Sequence, residues 1–201
     1  MALMTLLEDL AIFIPTYNRH AYVTRSMRYW GEKGLNVHVL DGTEVPIEKR
    51  ILEDCRDTNI HYHHMPCTIE ERFGNAARLA NTPYVVCLCD DEFFIPSALE
   101  RCVKTLNEQG DIGACTGLCL GFYPLKKEVS ALPEYSGMRN YKNVRSSANE
   151  RMITYVTNRL PSTFYAVQRV GVWKNSMNLV ASHPSGFSSP YMITVYDKTA
   201  S

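Results

Sequence analysis

Thr82-Pro83-Tyr84-Val85-Val86-Cys87-Leu88-Cys89-Asp90-Asp91-Glu92 is the stretch on which the fold turns. A Thr-Pro turn opens it, six apolar residues follow without alternation, and three carboxylates stop it. Six residues are few for a helix, and a β-branched, aromatic run behind a proline reads as a strand. Apolar side chains at every position, not every second one, mean burial on both faces, which is the habit of a parallel sheet covered by helices. The pattern therefore predicts a central strand over 84–89, with Pro96 to Gln109 as a helix closed by Gly110 and Ile112 to Leu120 as a further strand.

Reading back towards the start, Ile69 to Leu79 is a helix, Ile60 to His63 a short strand, and Pro46 opens a polar helix carrying Ile47, Ile51, Leu52 and Cys55. Asn36 to Leu40 is a strand, Ala21 to Lys33 a helix ended by Gly34, and Leu10 to Ile14 a continuous apolar strand closed by Pro15. Strands alternating with helices at this interval imply an α/β fold with a mostly parallel sheet and right-handed crossovers. Loop chemistry then gathers at the carboxyl ends of the strands.

Downstream the pattern thins. Pro124, Pro133, Gly137 and the polar stretch Tyr141 to Glu150 predict a long surface excursion over about 121–151. Thr163 to Val167 reads as a strand, Val170 to Met177 as a short helix, His183 to Ser189 as loop and Tyr191 to Val195 as a last short strand.

Composition narrows the function classes. The chain has 201 residues with 21 Lys plus Arg against 21 Asp plus Glu, so it lacks the clustered cationic excess that a nucleic-acid binder needs. The start, Met1 to Pro15, is interrupted by Glu8 and Asp9 and reads as neither signal peptide nor membrane span. Seven cysteines, an odd number with no C-x-x-C pair, point to free thiols and a reducing, cytoplasmic setting. His61, His63 and His64, with Cys55 and Cys67 nearby, lack the spacing of a structural zinc site and read as a short polar strand.

Asp90-Asp91-Glu92 is the strongest chemical signal. Three adjacent carboxylates repel one another, and capping the helix at Pro96 would need only one. A hard divalent cation, Mn²⁺ or Mg²⁺, bound by one or two of them and by phosphate oxygens, accounts for all three. Two further strand ends would meet this group at one sheet edge: Pro15-Thr16-Tyr17-Asn18-Arg19 and Asp41-Gly42-Thr43. Taken singly, the first is also a plain strand-to-helix turn capped by Thr16 or Asn18, and the second a simple turn. Together they offer a ring to stack on a base, and a carboxylate and a hydroxyl to bond base or ribose.

Ile12-Phe13-Ile14-Pro15-Thr16-Tyr17-Asn18-Arg19, Leu40-Asp41-Gly42-Thr43 and Pro83 to Phe94, in this order, resemble the family-two inverting, nucleotide-sugar-dependent glycosyltransferases, over about residues 10 to 120. That resemblance implies a GT-A fold with a Rossmann-like sheet in one domain over 1–201. About 8–120 would be the nucleotide-sugar-binding half and about 121–201 an acceptor-side half that is incomplete at its carboxyl end. It implies that Thr16, Tyr17, Arg19, Asp41 and Asp90 contact the nucleotide, and that Asp91 and Glu92 hold the metal. A basic residue of the third helix, Arg72 in preference to Arg78, would face the diphosphate. Glu92 stands where the family more often has Asp, so which two of the three acids act as the pair is left open.

The reaction so implied transfers a sugar from the donor to a hydroxyl-bearing glycan or glycoconjugate acceptor with inversion, in polysaccharide or glycoconjugate synthesis. The base that takes the acceptor proton belongs roughly ninety residues beyond the acids, yet no Asp or Glu lies between Arg151 and Tyr196. Asp197 and His183 are the candidates. The alternative is a catalytically inactive, glycosyltransferase-like binding or interaction protein. A nucleotidyltransferase is disfavoured because no Gly-rich, basic loop follows the first strand.

Overall fold

A computed structural model describes residues 5–126, 128–134, 147–157 and 163–182. A short 3-10 turn, Thr5–Asp9, leads into β1 (Leu10–Thr16), followed by α1 (His20–Gly31), β2 (Asn36–Asp41), α2 (Lys49–Asp54) and β3 (Ile60–His64). Then come α3 (Ile69–Leu79), β4 (Tyr84–Cys87), α4 (Pro96–Glu108), β5 (Ala114–Cys115), β6 (Leu120–Leu125) and β7 (Glu128–Pro133). The last described elements are α5 (Ala148–Thr157), a 3-10 turn at Thr163–Tyr165, β8 (Val167–Arg169) and α6 (Val170–Ser182).

Six strands form one sheet in the order β3-β2-β1-β4-β8-β5, and β6 pairs with β7 as a separate hairpin. β1 pairs in parallel with β2 on one side, Ile12 opposite Val37, and with β4 on the other, Ile12 opposite Val86. β8 runs antiparallel between β4 and β5. The β1–β4 boundary is the topological switch point, where chain connections leave in opposite directions and a crevice opens at the carboxyl ends.

The alternation of β1 explains both layers. Leu10, Ile12 and Ile14 pack with Val23, Met27 and Trp30 of α1 and with Leu99, Val103 and Leu106 of α4. Ala11 and Phe13 face the opposite side, against Phe73, Ala76 and Ala77 of α3 and Trp173 and Met177 of α6. Burying a side chain of this size stabilises by about 1.5–3 kcal/mol, so these two layers hold the strand ends rigidly. Helix α3 starts on a full capping box. The backbone N–H of Glu71 donates to Thr68 Oγ1 at 3.2 Å, and the Thr68 N–H donates to Glu71 Oε2 at 3.0 Å.

Several expected boundaries move. The strand over 112–120 shrinks to Ala114–Cys115, and the expected strand at Thr163–Val167 is a 3-10 turn followed by β8. The excursion after Gly121 contains the β6–β7 hairpin, and α6 runs five residues past Met177, to Ser182. The strand expected at Tyr191–Val195 lies outside the described residues, as do His183 and Asp197. Among the described residues no helix is long and apolar enough to cross a membrane.

Candidate nucleotide-sugar site

Three strand ends meet at the switch point. Thr16 Oγ1, at the end of β1, donates to Asp90 Oδ2 at 2.7 Å, tying the two strands together across the crevice. Both residues are buried. Burial pushes the Asp90 carboxyl up, and the Thr16 hydroxyl and the Arg19 charge oppose this without cancelling it.

Arg19 closes the arrangement from the start of α1. Its guanidinium lies 3.3 Å from Asp90 Oδ1 and donates to Asp91 Oδ2 at 2.6 Å. It also lies 4.3 Å over the Tyr22 ring. The bond to Asp91 raises the Arg19 pKa. The turn that brings Arg19 here passes through Asn18 at φ +56°, a left-handed conformation that Asn tolerates better than most residues. The Asn18 N–H donates to Thr43 Oγ1 at 2.9 Å, which joins the first and second strand-end loops.

Asp41 is fully buried at the end of β2. Its Oδ1 accepts from the Thr43 N–H at 2.9 Å; its Oδ2 accepts from the Tyr62 hydroxyl at 2.6 Å and contacts His20 Nε2 at 2.9 Å. Burial alone would push this carboxyl up, but the bonds from Thr43, Tyr62 and His20 outweigh it and hold the pKa below its ordinary value. Tyr17, next to Thr16, is 55% exposed.

Arg72 comes up from α3 beneath these loops. It is buried, and its Nη1 donates to the Thr16 and Leu40 carbonyls at 2.7 and 3.1 Å. A Cβ on residue 42 would fall 2.5 Å from the Arg72 guanidinium carbon, so the glycine in Asp41-Gly42-Thr43 makes room for this charge. Arg72 Nε is buried without a partner. Arg78, two turns on, is exposed and donates to Asn75.

Asp91 is exposed, whereas Glu92 is half-buried and folds back so that its Oε2 accepts from the Cys89 N–H at 3.3 Å. Burial raises the Glu92 pKa. Among the described residues no group of three or more His, Cys, Asp or Glu is arranged to hold a metal by itself. The donors present are carboxylate oxygens, one of them open to solvent. That fits a hard cation that takes one or two protein oxygens and completes its shell with phosphate and water.

Thr16, Arg19, Asp41, Arg72, Asp90 and Asp91 are thus brought to one edge, with Tyr17 beside them. His20, Tyr62 and Thr43, which surround Asp41, were not among the expected site residues. Their signal was weak because each depends on a neighbour more than twenty positions away, or, for Thr43, on a turn that reads as ordinary. The histidine strand forms a stack. His38 lies between Phe13 at 4.8 Å and His61 at 4.8 Å, and its Nδ1 contacts His63 Nε2 at 3.1 Å. None of the seven cysteines forms a disulfide.

No curated protein sequence matched the chain. The fold is similar to that of TarS from S. aureus. One structure of TarS residues 1–349 superposes with a TM-score of 0.57 at 14% identity, covering 95% of this chain and 54% of that one. The same fragment in complex with UDP-GlcNAc gives a TM-score of 0.55 at 14% identity over 83% of this chain and 46% of that one. A longer TarS chain gives 0.55 at 15% identity over 83% of this chain and 29% of that one. The chain therefore spans between about a third and a half of the length of these neighbours. The family model described as "Glycosyl transferase family 2" matches residues 11–165, which takes in β1 from its second residue and every strand end of the site. With that match over most of its length, the chain belongs to glycosyl transferase family 2.

Proposed function

We propose that this chain binds a nucleotide-diphosphate sugar at the β1–β4 switch point and serves a metal-dependent, inverting glycosyltransferase. The observation that carries the reading is the Thr16–Asp90 bond at 2.7 Å, which holds a buried carboxylate at the crevice floor with the exposed Asp91 beside it. Tyr17 stacks on the base, and the loop from Asp41 to Thr43 closes around the nucleoside. Asp90 faces the ribose. Asp91, with Glu92 behind it, would hold Mn²⁺ or Mg²⁺, which when bound neutralises charge developing on the leaving diphosphate. Arg72 adds a fixed positive charge beneath the strand ends, where it favours a bound polyanion.

Transfer by a single displacement breaks the bond between the anomeric carbon and the diphosphate oxygen and forms one to the acceptor oxygen. The acceptor proton passes to a base, for which the candidates Asp197 and His183 lie outside the described residues. We place the reaction in glycan or glycoconjugate synthesis on a hydroxyl acceptor, and seven cysteines outside any disulfide support a cytoplasmic setting. The absence of Asp and Glu between Arg151 and Tyr196 favours a second reading, binding without turnover.

One experiment separates them. The chain is incubated with UDP-, GDP-, CDP- and dTDP-linked sugars and Mn²⁺, and both bound nucleotide and released nucleoside diphosphate are measured. Binding with release supports the transferase, binding alone supports the second reading, and no binding of any donor contradicts both.

A further inference from the structure

We propose that Arg19 is the resident counter-ion of the acidic group and gives up Asp91 to the divalent cation when the nucleotide sugar binds. This rests on the donor-site reading above. Asp90, Asp91 and Glu92 bring three carboxyl groups to one loop, and Arg19 is the basic side chain paired with them. Asp90 is buried, with Oδ2 accepting from Thr16 and Oδ1 3.3 Å from the Arg19 guanidinium, so it is the less accessible of the two aspartates for a cation. Asp91 is different. It is 40% exposed, and Arg19 holds its Oδ2 at 2.6 Å. A metal on that carboxylate and the guanidinium would be two cations on one small anion, and each opposes the other.

The guanidinium has somewhere to go. Arg19 immediately precedes α1 and is itself 40% exposed, and its charge already lies 4.3 Å over the Tyr22 ring. Pivoting on that ring, it can leave Asp91 without losing its cation–π contact. Its planar fork then meets the diphosphate, whose paired oxygens it matches better than an ammonium does. Arg19 therefore keeps the acids neutralised when the site is empty and passes from carboxylate to phosphate when the donor arrives. The consequence is a coupling in which metal binds weakly alone and firmly together with nucleotide.

Mn²⁺ uptake, read from the electron paramagnetic resonance of the free ion, tests this on the whole chain, first without nucleotide and then with UDP, GDP, CDP or dTDP. Arg19→Gln should take up Mn²⁺ about two- to fivefold more tightly than wild type without nucleotide, the order expected when one partly exposed ion pair no longer competes. With nucleotide present it should lose about tenfold in nucleotide affinity. Arg19→Lys keeps the charge but not the fork, so its uptake of Mn²⁺ alone should match wild type while nucleotide affinity falls. Arg19→Met carries the same expectation as Arg19→Gln and stands in for it if that variant does not fold. If wild type shows Mn²⁺-dependent nucleotide binding and Arg19→Gln takes up Mn²⁺ no more tightly than wild type, the exchange is wrong and the donor site stands. If wild type shows no Mn²⁺-dependent binding of any nucleotide, the donor-site reading fails and the exchange falls with it.

Discussion

Asp41 shows how single residues set this site. Its buried carboxylate is stable as an anion because Thr43, Tyr62 and His20 surround it. Tyr62→Phe removes a bond to a charged acceptor and leaves the Ile47 N–H, now 2.9 Å from the Tyr62 oxygen, without its partner. The expected cost is about 1.5–3 kcal/mol, read from the urea midpoint, and an unchanged midpoint would mean that the bond contributes nothing. Asp91→Asn should weaken donor binding in Mn²⁺ far more than in EDTA, and an equal loss in both would contradict the metal role. His38 makes a third case. Burial, with His61 and His63 close by, lowers its pKa to about 4, and His63 is lowered as well. Between the ordinary histidine pKa and about 4 the unfolded chain takes up a proton that folded His38 refuses. Stability is therefore full above neutral pH and falls as the pH drops, by about 2 kcal/mol from this residue between pH 7 and 5. His38→Phe should flatten that decline in urea titrations at the two pH values, and an identical slope would rule out the imidazole as its cause. At this scale the strand-end motifs were legible because chemistry concentrates in Pro15 to Arg19 and in the acidic triplet. The partners of Asp41 were not, since Tyr62 reaches it from β3 only after the parallel register is set.

Helix α3 carries the buried Arg72 and is held at both ends of its packing. Thr68→Ala removes the capping box and should cost about 1 kcal/mol in urea unfolding, with no effect if the cap is redundant. Gly74 is where α3 meets α6, and a Cβ there would fall 2.8 Å from Ala181 Cβ. Gly74→Val should therefore destabilise by about 1–3 kcal/mol, with part of the loss recovered by adding Ala181→Gly; no recovery would place the strain elsewhere. Element type was legible wherever the apolar period was clean, and α3 has the bounds that its pattern predicted. The β6–β7 hairpin was hidden for a physical reason. Phe122 and Tyr123 are 67% and 49% exposed, so neither face is a core face and no alternation marks the strand, while Gly121 and Pro124 read as turn residues. β8 was obscured because its place between β4 and β5 comes from antiparallel pairing with strands at least fifty positions earlier in the chain.

For the molecule as a whole, the parallel strands β3, β2, β1 and β4 build a platform whose carboxyl edge carries the polar residues, and helices on both faces leave that edge open. Family membership and the two-sided core agree with what the continuous apolar runs of β1 and β4 required. Among the described residues after 121 the strands are short, β8 pairs with strands far back in the chain and the apolar pattern is sparse, so each residue carries less information there. The most direct test is thermal unfolding of the whole chain with UDP-, GDP-, CDP- and dTDP-linked sugars, each in Mn²⁺ and in EDTA. A donor at about a hundred times its Kd adds roughly 2.7 kcal/mol to stability, several degrees in Tm. A rise with at least one nucleotide sugar in Mn²⁺, abolished by EDTA, is the predicted result. No rise with any donor, or the same rise in EDTA, would contradict a metal-dependent donor site at the β1–β4 switch point.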